Sequence, residues 1–351
     1  MAEIDSLFEI LVKKGGSDLH LAEGQPPKIR IHGEIHPIAN EILTKDKMQK
    51  MMVEICEKSR WQRFLHIGDM DFAYSYKDVA RFRANYHMQS FGYGCIFRTI
   101  PSRILTLEEL GVPVILKKFA NFRSGLVLIT GPTGSGKSTT LAAIIDFINT
   151  NQKKKILTIE EPIEFVHPNK QSVIVQREVG IDTHAFSDAL ESSTRMDLDV
   201  ILVGEMRDQE TIALALTAAE MGTLVFGTLH TNSAAKTIDR IIDSFPADQQ
   251  GQVRVMLANS LRGVVSQLLL KTKDGNGRLP ANEILLEAPG LANLIREGKI
   301  AQIEGIIQQG KLAGMQFMDD QLYELVTSGK VSGIDAYMKS KEKSRFEQMA
   351  K

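Results

Sequence analysis

Cysteine is almost missing from this chain. Cys56 and Cys95 are the only two in 351 residues, and neither has a second cysteine nearby. A disulfide framework and a zinc ribbon both need cysteines in sets, so neither is expected. The two thiols read as buried groups of a reducing compartment. Long hydrophobic runs are missing as well. The longest, such as LVLI at 126–129 and VILV at 200–203, are strand-sized and far below a membrane span. The opening MAEIDSLFEILVKKGG carries acids early and only a brief apolar stripe, unlike a secretory signal. A cytoplasmic protein is therefore expected. An excess of one charge is missing too: 42 Lys and Arg face 43 Asp and Glu, a formal net charge of −1. That argues against a chain built to coat nucleic acid or an anionic membrane. Neither an internal repeat nor a low-complexity segment is visible.

What is present is an ordinary globular composition, 43% hydrophobic and 24% charged, long enough for two or three domains. Ile4, Leu7, Phe8 and Leu11 recur at helical spacing until Gly15-Gly16. Alternating, strand-like segments follow: KIRIHGEIHPI, MDFAYSY, VARFRANYH and GCIFRTI, with turns at His32-Gly33 and Lys77-Asp78. One helix is expected near 45–65, around the single Trp61. Residues 1–100 thus read as a small α+β domain. Residues 101–112 read as a linker beginning at Pro101. From 113 to 351, strand and helix patterns alternate, as in an α/β core with a mainly parallel sheet. From about 250 onward the pattern reads as almost purely helical, and the charged tail KSKEKSRFEQMAK reads as frayed.

Four boxes in the second region carry chemistry. GPTGSGKSTT, 131–140, follows an apolar strand and opens a helix. Its spacing, G-x-x-x-x-G-K-S, is that of a loop whose backbone N–H groups wrap phosphate oxygens. Gly131, Thr133, Gly134, Ser135, Gly136, Lys137, Ser138 and Thr139 are the candidate nucleotide ligands. Lys137 would reach the β- and γ-phosphates, and Ser138 would ligate Mg²⁺. In DVILVGEMRD, 199–208, a buried strand is expected to deliver Glu205 beside that loop. There it would orient or deprotonate water, or hold Mg²⁺ through water; a surface salt bridge is the alternative. In LTIEEPIEFVH, 157–167, Glu160, Glu161 and Glu164 crowd one strand end and call for a metal or an arginine. A solvated acidic turn is the other reading. In LVFGTLHTNSA, 224–234, His230 follows a strand, placed to sense a γ-phosphate, to bond a glutamate, or to serve structure alone.

Phosphoryl transfer also needs positive charge on the migrating group, and a neighbouring subunit can supply it. The pleat of VARFRANYH puts Arg81, Arg83 and Asn85 on one face and Phe82, Ala84 and Tyr86 on the other. Arg98 sits on a neighbouring strand, and Arg195 and Arg207 flank the Glu205 strand. A solvated strand face would explain the first group equally.

The four boxes, in this order, resemble the Walker A, Asp box, Walker B and His box of the bacterial secretion ATPases, most closely the pilus-retraction (PilT/PilU) branch. The likeness extends over GGSDLHL, ARFRANYH, FRTIP, DRIIDSFPADQQ, SLRGVVSQLL and NLIREGK, nearly the whole chain. It implies a RecA-like P-loop ATPase domain, a smaller PAS-like N-terminal domain and C-terminal helices. It also implies a homohexamer that binds ATP between the two domains, with Mg²⁺, and drives pilus disassembly from the inner-membrane base. Partners would be the inner-membrane platform protein and other pilus ATPases, with no nucleic acid; the ring would be peripheral to the membrane, not inserted. Glu205 matches the Walker B glutamate, Glu164 the second acid of the Asp box, and His230 the second His-box histidine. Arg83 and Arg98 match the N-terminal-domain arginines, and Arg195 and Arg207 those around Walker B. The chain departs from the usual motifs at Glu161, Leu198, Thr223 and Ala292. Two further readings compete: a low-turnover nucleotide-binding regulatory or assembly subunit, and a small-metabolite phosphotransferase.

Overall fold

The structure, a computed structural model, describes every residue except Met1, His32, Asp78, Pro101, Ser102 and Asn276. The expected turns at 32–33 and 77–78 and the start of the linker at Pro101 therefore lie partly outside the described residues. The chain divides into two compact units, residues 1–103 with 161–166, and residues 104–160 with 167–351.

In the first unit, helix α1 (Asp5–Lys13) precedes strands β1 (Asp18–Ala22), β2 (Lys28–Ile31) and β3 (Glu34–Pro37). Helices α2 (Lys45–Glu54) and α3 (Lys58–Ile67) follow, then β4 (Asp69–Tyr76), β5 (Ala80–Gln89) and β6 (Gly92–Ile100). The strands form one antiparallel sheet in the order β3-β2-β1-β6-β5-β4. Phe82, Ala84 and Tyr86 point into a core shared with Phe8, Met48, Met51, Met52, Trp61 and Phe64. The Phe8 and Phe82 rings stack with centroids 4.4 Å apart.

The single helix expected near 45–65 is two helices. Met52 and Trp61 both enter the core, yet they are nine residues apart. On one straight helix that is about two and a half turns, which would aim them to opposite sides. Extended backbone at Glu57 (φ −62°, ψ 146°) breaks the helix and resets the phase.

In the second unit, α4 (Leu116–Phe119) leads into β7 (Gly125–Thr130) and α5 (Lys137–Asn151). Next come β8 (Lys155–Glu160), β9 (Val173–Glu178), α6 (Phe186–Ser193), β10 (Val200–Val203), α7 (Gln209–Glu220), β11 (Leu224–Leu229), α8 (Ala234–Asp243) and α9 (Gln250–Ser260). After α9 the chain continues as β12 (Leu261–Lys271) and β13 (Arg278–Leu286), then α10 (Leu291–Arg296), α11 (Ile303–Gln309), α12 (Met318–Thr327) and α13 (Gly333–Lys339). The sheet order is β13-β12-β7-β11-β10-β8-β9, parallel throughout except for the β12–β13 pair. Every residue of β7, β10 and β11 is buried, as parallel strands covered on both faces require.

Two expectations for the C-terminal third are corrected. It is not purely helical: β12 lies parallel to β7, and β13 closes that side as a hairpin. The apolar run GVVSQLLL fits a buried helix or a buried strand equally by period. The open edge of β7, with unpaired N–H and C=O groups, decides for the strand. Nor does the tail fray. Phe346 is fully buried with Leu322, Leu325 and Ala336, and Arg345 Nη1 lies 2.8 Å from Asp320. The N–H groups of Lys341 and Glu342 donate to the Asp319 carboxylate. Strand β9 was also unforeseen, and PIEF at 162–165 is neither helix nor strand.

Candidate functional site

The parallel strands present their C-terminal ends in one row. β7 ends in the glycine loop, β11 in His230, β10 in Gly204-Glu205 and β8 in Glu160. The carboxyl edge of such a sheet is where α/β folds bind ligands. Between the loop strand β7 and the Glu205 strand β10 lies β11, which brings His230 between them.

The loop takes its shape from glycine. Gly131, Gly134 and Gly136 have φ of 145°, 78° and 84°. At Gly131 a Cβ would collide with the Gln267 carbonyl oxygen and lie 2.6 Å from Ser135 Oγ. Ser135 N–H donates to the Pro132 carbonyl at 3.2 Å, and α5 starts at Lys137 directly behind Gly136. Lys137 Nζ donates to the carbonyl oxygens of Gly131 at 2.7 Å and Pro132 at 3.1 Å, so its ammonium sits over the loop. Ser135 Oγ is buried and has no hydrogen-bond partner among the described residues. Backbone donors at a helix N-terminus, a lysine and an orphaned hydroxyl are a donor set that fits a polyphosphate. Thr133 and Ser138 are exposed and Thr139 is half-buried. Among the described residues no three His, Cys, Asp or Glu side chains converge as a metal cage. Mg²⁺ takes one or two protein oxygens and completes its shell with phosphate and water, so the single Ser138 hydroxyl fits it.

Glu205 is clamped. His230 Nε2 lies 3.0 Å from its Oε1, and Arg207 Nη2 lies 2.7 Å from its Oε2. A carboxylate only accepts, so the histidine proton is on Nε2. Burial opposes ionisation of Glu205, but the Arg207 and His230 bonds and charges outweigh it and hold the carboxyl below its ordinary range. The turn carrying it is pinned on both sides. Gly204 N–H donates to Ile159 O at 2.8 Å, Met206 N–H to Thr228 O at 3.0 Å, and Thr228 Oγ1 to Gly204 O at 2.5 Å. Each carboxylate oxygen keeps a second lone pair. A group held ionised in this way arranges a water molecule better than it removes a proton from one.

The other predicted residues are distributed. Glu160 ends β8 and accepts from Thr158 Oγ1 at 2.8 Å. Glu164 belongs to the other unit, where its Oε1 lies 3.9 Å from Arg83 Nη1. Glu160 belongs to the second unit, while Glu161 and Glu164 belong to the first. Arg83 and Arg98 are direct cross-strand partners on β5 and β6. Arg98 Nε donates to the buried Asp18 at 2.8 Å, and Ser17 Oγ donates to Asp18 at 2.7 Å. Arg195 is exposed in the turn after α6 and, among the described residues, joins no ion pair of the Glu205 cluster. Gln267 was missed. Its signal was a single amide in the apolar run GVVSQLLL, where a buried polar group needs a partner.

Fold and site define a P-loop nucleoside-triphosphatase of the α/β class. The sequence matches the Type II/IV secretion system protein family over residues 3–350, and the chain belongs to that family. It is 50% identical to the type IV pilus retraction ATPase PilT of Pseudomonas aeruginosa, over 98% of this chain and 100% of the relative. It is 52% identical to a twitching motility protein of Neisseria gonorrhoeae, over 87% of this chain and 82% of the relative. A crystal structure of the pilus retraction motor PilT with bound ADP superposes with a TM-score of 0.91, at 42% identity, covering 99% of this chain and 100% of that one. Among the described residues no helix is long and apolar enough to cross a membrane.

Proposed function

We propose that the chain is an ATP-hydrolysing motor that powers type IV pilus retraction, working as a ring of six at the cytoplasmic face of the inner membrane. The observation that carries this reading is the row of strand ends: phosphate loop, His230 and clamped Glu205 side by side on one sheet edge. Half-identity to a retraction ATPase along the full chain supports the pilus as its target.

ATP phosphates are gripped by the N–H groups of residues 133–139 and by Lys137. Ser138 would hold Mg²⁺, and when bound that ion would supply charge neutralisation for the leaving group. Glu205, ionised and oriented by His230, aligns the attacking water. Arg83 and Arg98 supply positive charge from a neighbouring subunit, with Glu164 holding Arg83, while Arg207 steadies Glu205 and Arg195 and Glu160 act at the rim. The pilus platform protein receives the resulting motion.

The test is turnover by the purified protein. Mg²⁺-dependent phosphate release is expected, and Glu205→Gln should lower kcat by roughly 10²–10³-fold while ADP still binds. Lys137→Ala should abolish both. Ordinary turnover by Glu205→Gln would refute the catalytic assignment. In cells, loss of the protein should leave pili that extend but do not shorten.

A further inference from the structure

We propose that Gln267 is a positioning residue of the phosphate loop: from β12 its side-chain amide sets the direction of a peptide that grips phosphate. This rests on the loop being a nucleotide cradle, as argued above. Gln267 is 2% exposed, and its Nε2 donates to the Ser135 carbonyl at 2.7 Å. A trans peptide is planar, with its C=O and the next N–H pointing opposite ways. Drawing the Ser135 carbonyl back against the sheet therefore turns the Gly136 N–H outward, where it can donate to a phosphate oxygen.

The amide cannot turn over. Its Oε1 accepts from Thr140 Oγ1 and from Asn282 Nδ2, each at 3.0 Å. A reversed amide would set its oxygen against the Ser135 carbonyl, which can only accept, and would lose that bond. The backbone of Asn282, on β13, is held in place, while its side-chain Oδ1 has no hydrogen-bond partner among the described residues. Its N–H donates to Gln321 Oε1 at 2.6 Å, and its carbonyl accepts from Gln316 Nε2 at 2.8 Å.

Gln267 acts as a template too, through its backbone at one glycine and its side chain at another. A Cβ on Gly131 would collide with its carbonyl oxygen, and a Cβ on Gly136 would lie 3.0 Å from its Nε2. Both framing glycines of the loop are therefore shaped against this one residue.

The experiment is calorimetric titration of ADP into the full-length protein and into Gln267→Met, an apolar side chain of similar length. ADP affinity is expected to fall at least tenfold in the folded variant. A purely structural role would lower the unfolding temperature without nucleotide but leave the affinity of the folded protein alone. Unchanged affinity in folded Gln267→Met overturns the proposal. Should that variant not fold, Thr140→Val carries the test: it removes one of the two anchors of Oε1 and should weaken ADP severalfold, whereas full affinity there overturns the proposal. A wild-type protein that fails to bind ADP would instead refute the nucleotide reading itself, so the two failures are distinct.

Discussion

The role proposed for Glu205, arranging water, needs an ionised carboxylate, and Arg207 and His230 hold it so. Its pKa is depressed, so its stabilising contribution is present above the ordinary value of 4.5 and is lost as pH falls through the lower folded value. Truncating His230 frees the carboxylate to rotate, and His230→Ala should cost roughly 10²-fold in kcat with little change in ADP affinity. His167 behaves in the opposite chemical sense. Burial drives its pKa down from 6.5 to about 4, and its Nδ1 has no partner among the described residues. The unfolded chain then binds a proton that the folded one refuses. Stability should fall as pH drops from 6.5 to about 4, by up to about 3 kcal/mol, and level off below. Urea unfolding of His167→Leu across that window should lose this slope; an unchanged slope would assign it to other groups. Cys56, half-buried, is pushed up to about 11 by burial, and the thiol of the fully buried Cys95 is raised further. Neither is an activated nucleophile.

Among elements, α7 ties fold to chemistry. Its N-cap Asp208 accepts from Thr211 N–H at 2.8 Å and from Thr211 Oγ1 at 3.0 Å. Asp208 directly follows Arg207, so the cap also anchors the residue that clamps Glu205. Asp208→Ala should cost about 1 kcal/mol of stability and also lower turnover. A stability loss with full turnover would separate the cap from the site. At the far end of the chain, Phe346 fills the pocket made by α12, α13 and β12. Phe346→Ala should destabilise by about 3–5 kcal/mol and open Lys341 and Lys343 to trypsin. The tail's charge pattern hid this, because one buried aromatic outweighs several solvated lysines.

For the whole molecule, the prediction concerns division of labour between subunits. If Arg83 serves a neighbour's nucleotide, Arg83→Ala and Lys137→Ala subunits are each inactive alone, but mixtures form some interfaces with both groups intact. Partial recovery of ATPase activity on mixing is expected, highest near equal proportions. No recovery at any ratio would place the arginine in its own subunit's chemistry.

Much was legible in the linear order. Each chemical box is local: a glycine loop between strand and helix, and a carboxylate or histidine at the end of an apolar run. Local steric rules and short-range periodicity write such features directly into sequence. The arginine face of β5 was readable for the same reason, since the pleat alternates strictly. Neighbourhood was not readable. That β11 lies between the loop strand and the Glu205 strand, and that β12 is a strand whose Gln267 supports the loop, both depend on which strand edges pair. Long-range backbone pairing settles that, and a buried apolar run looks the same whether it becomes helix or strand until a partner edge claims its hydrogen bonds.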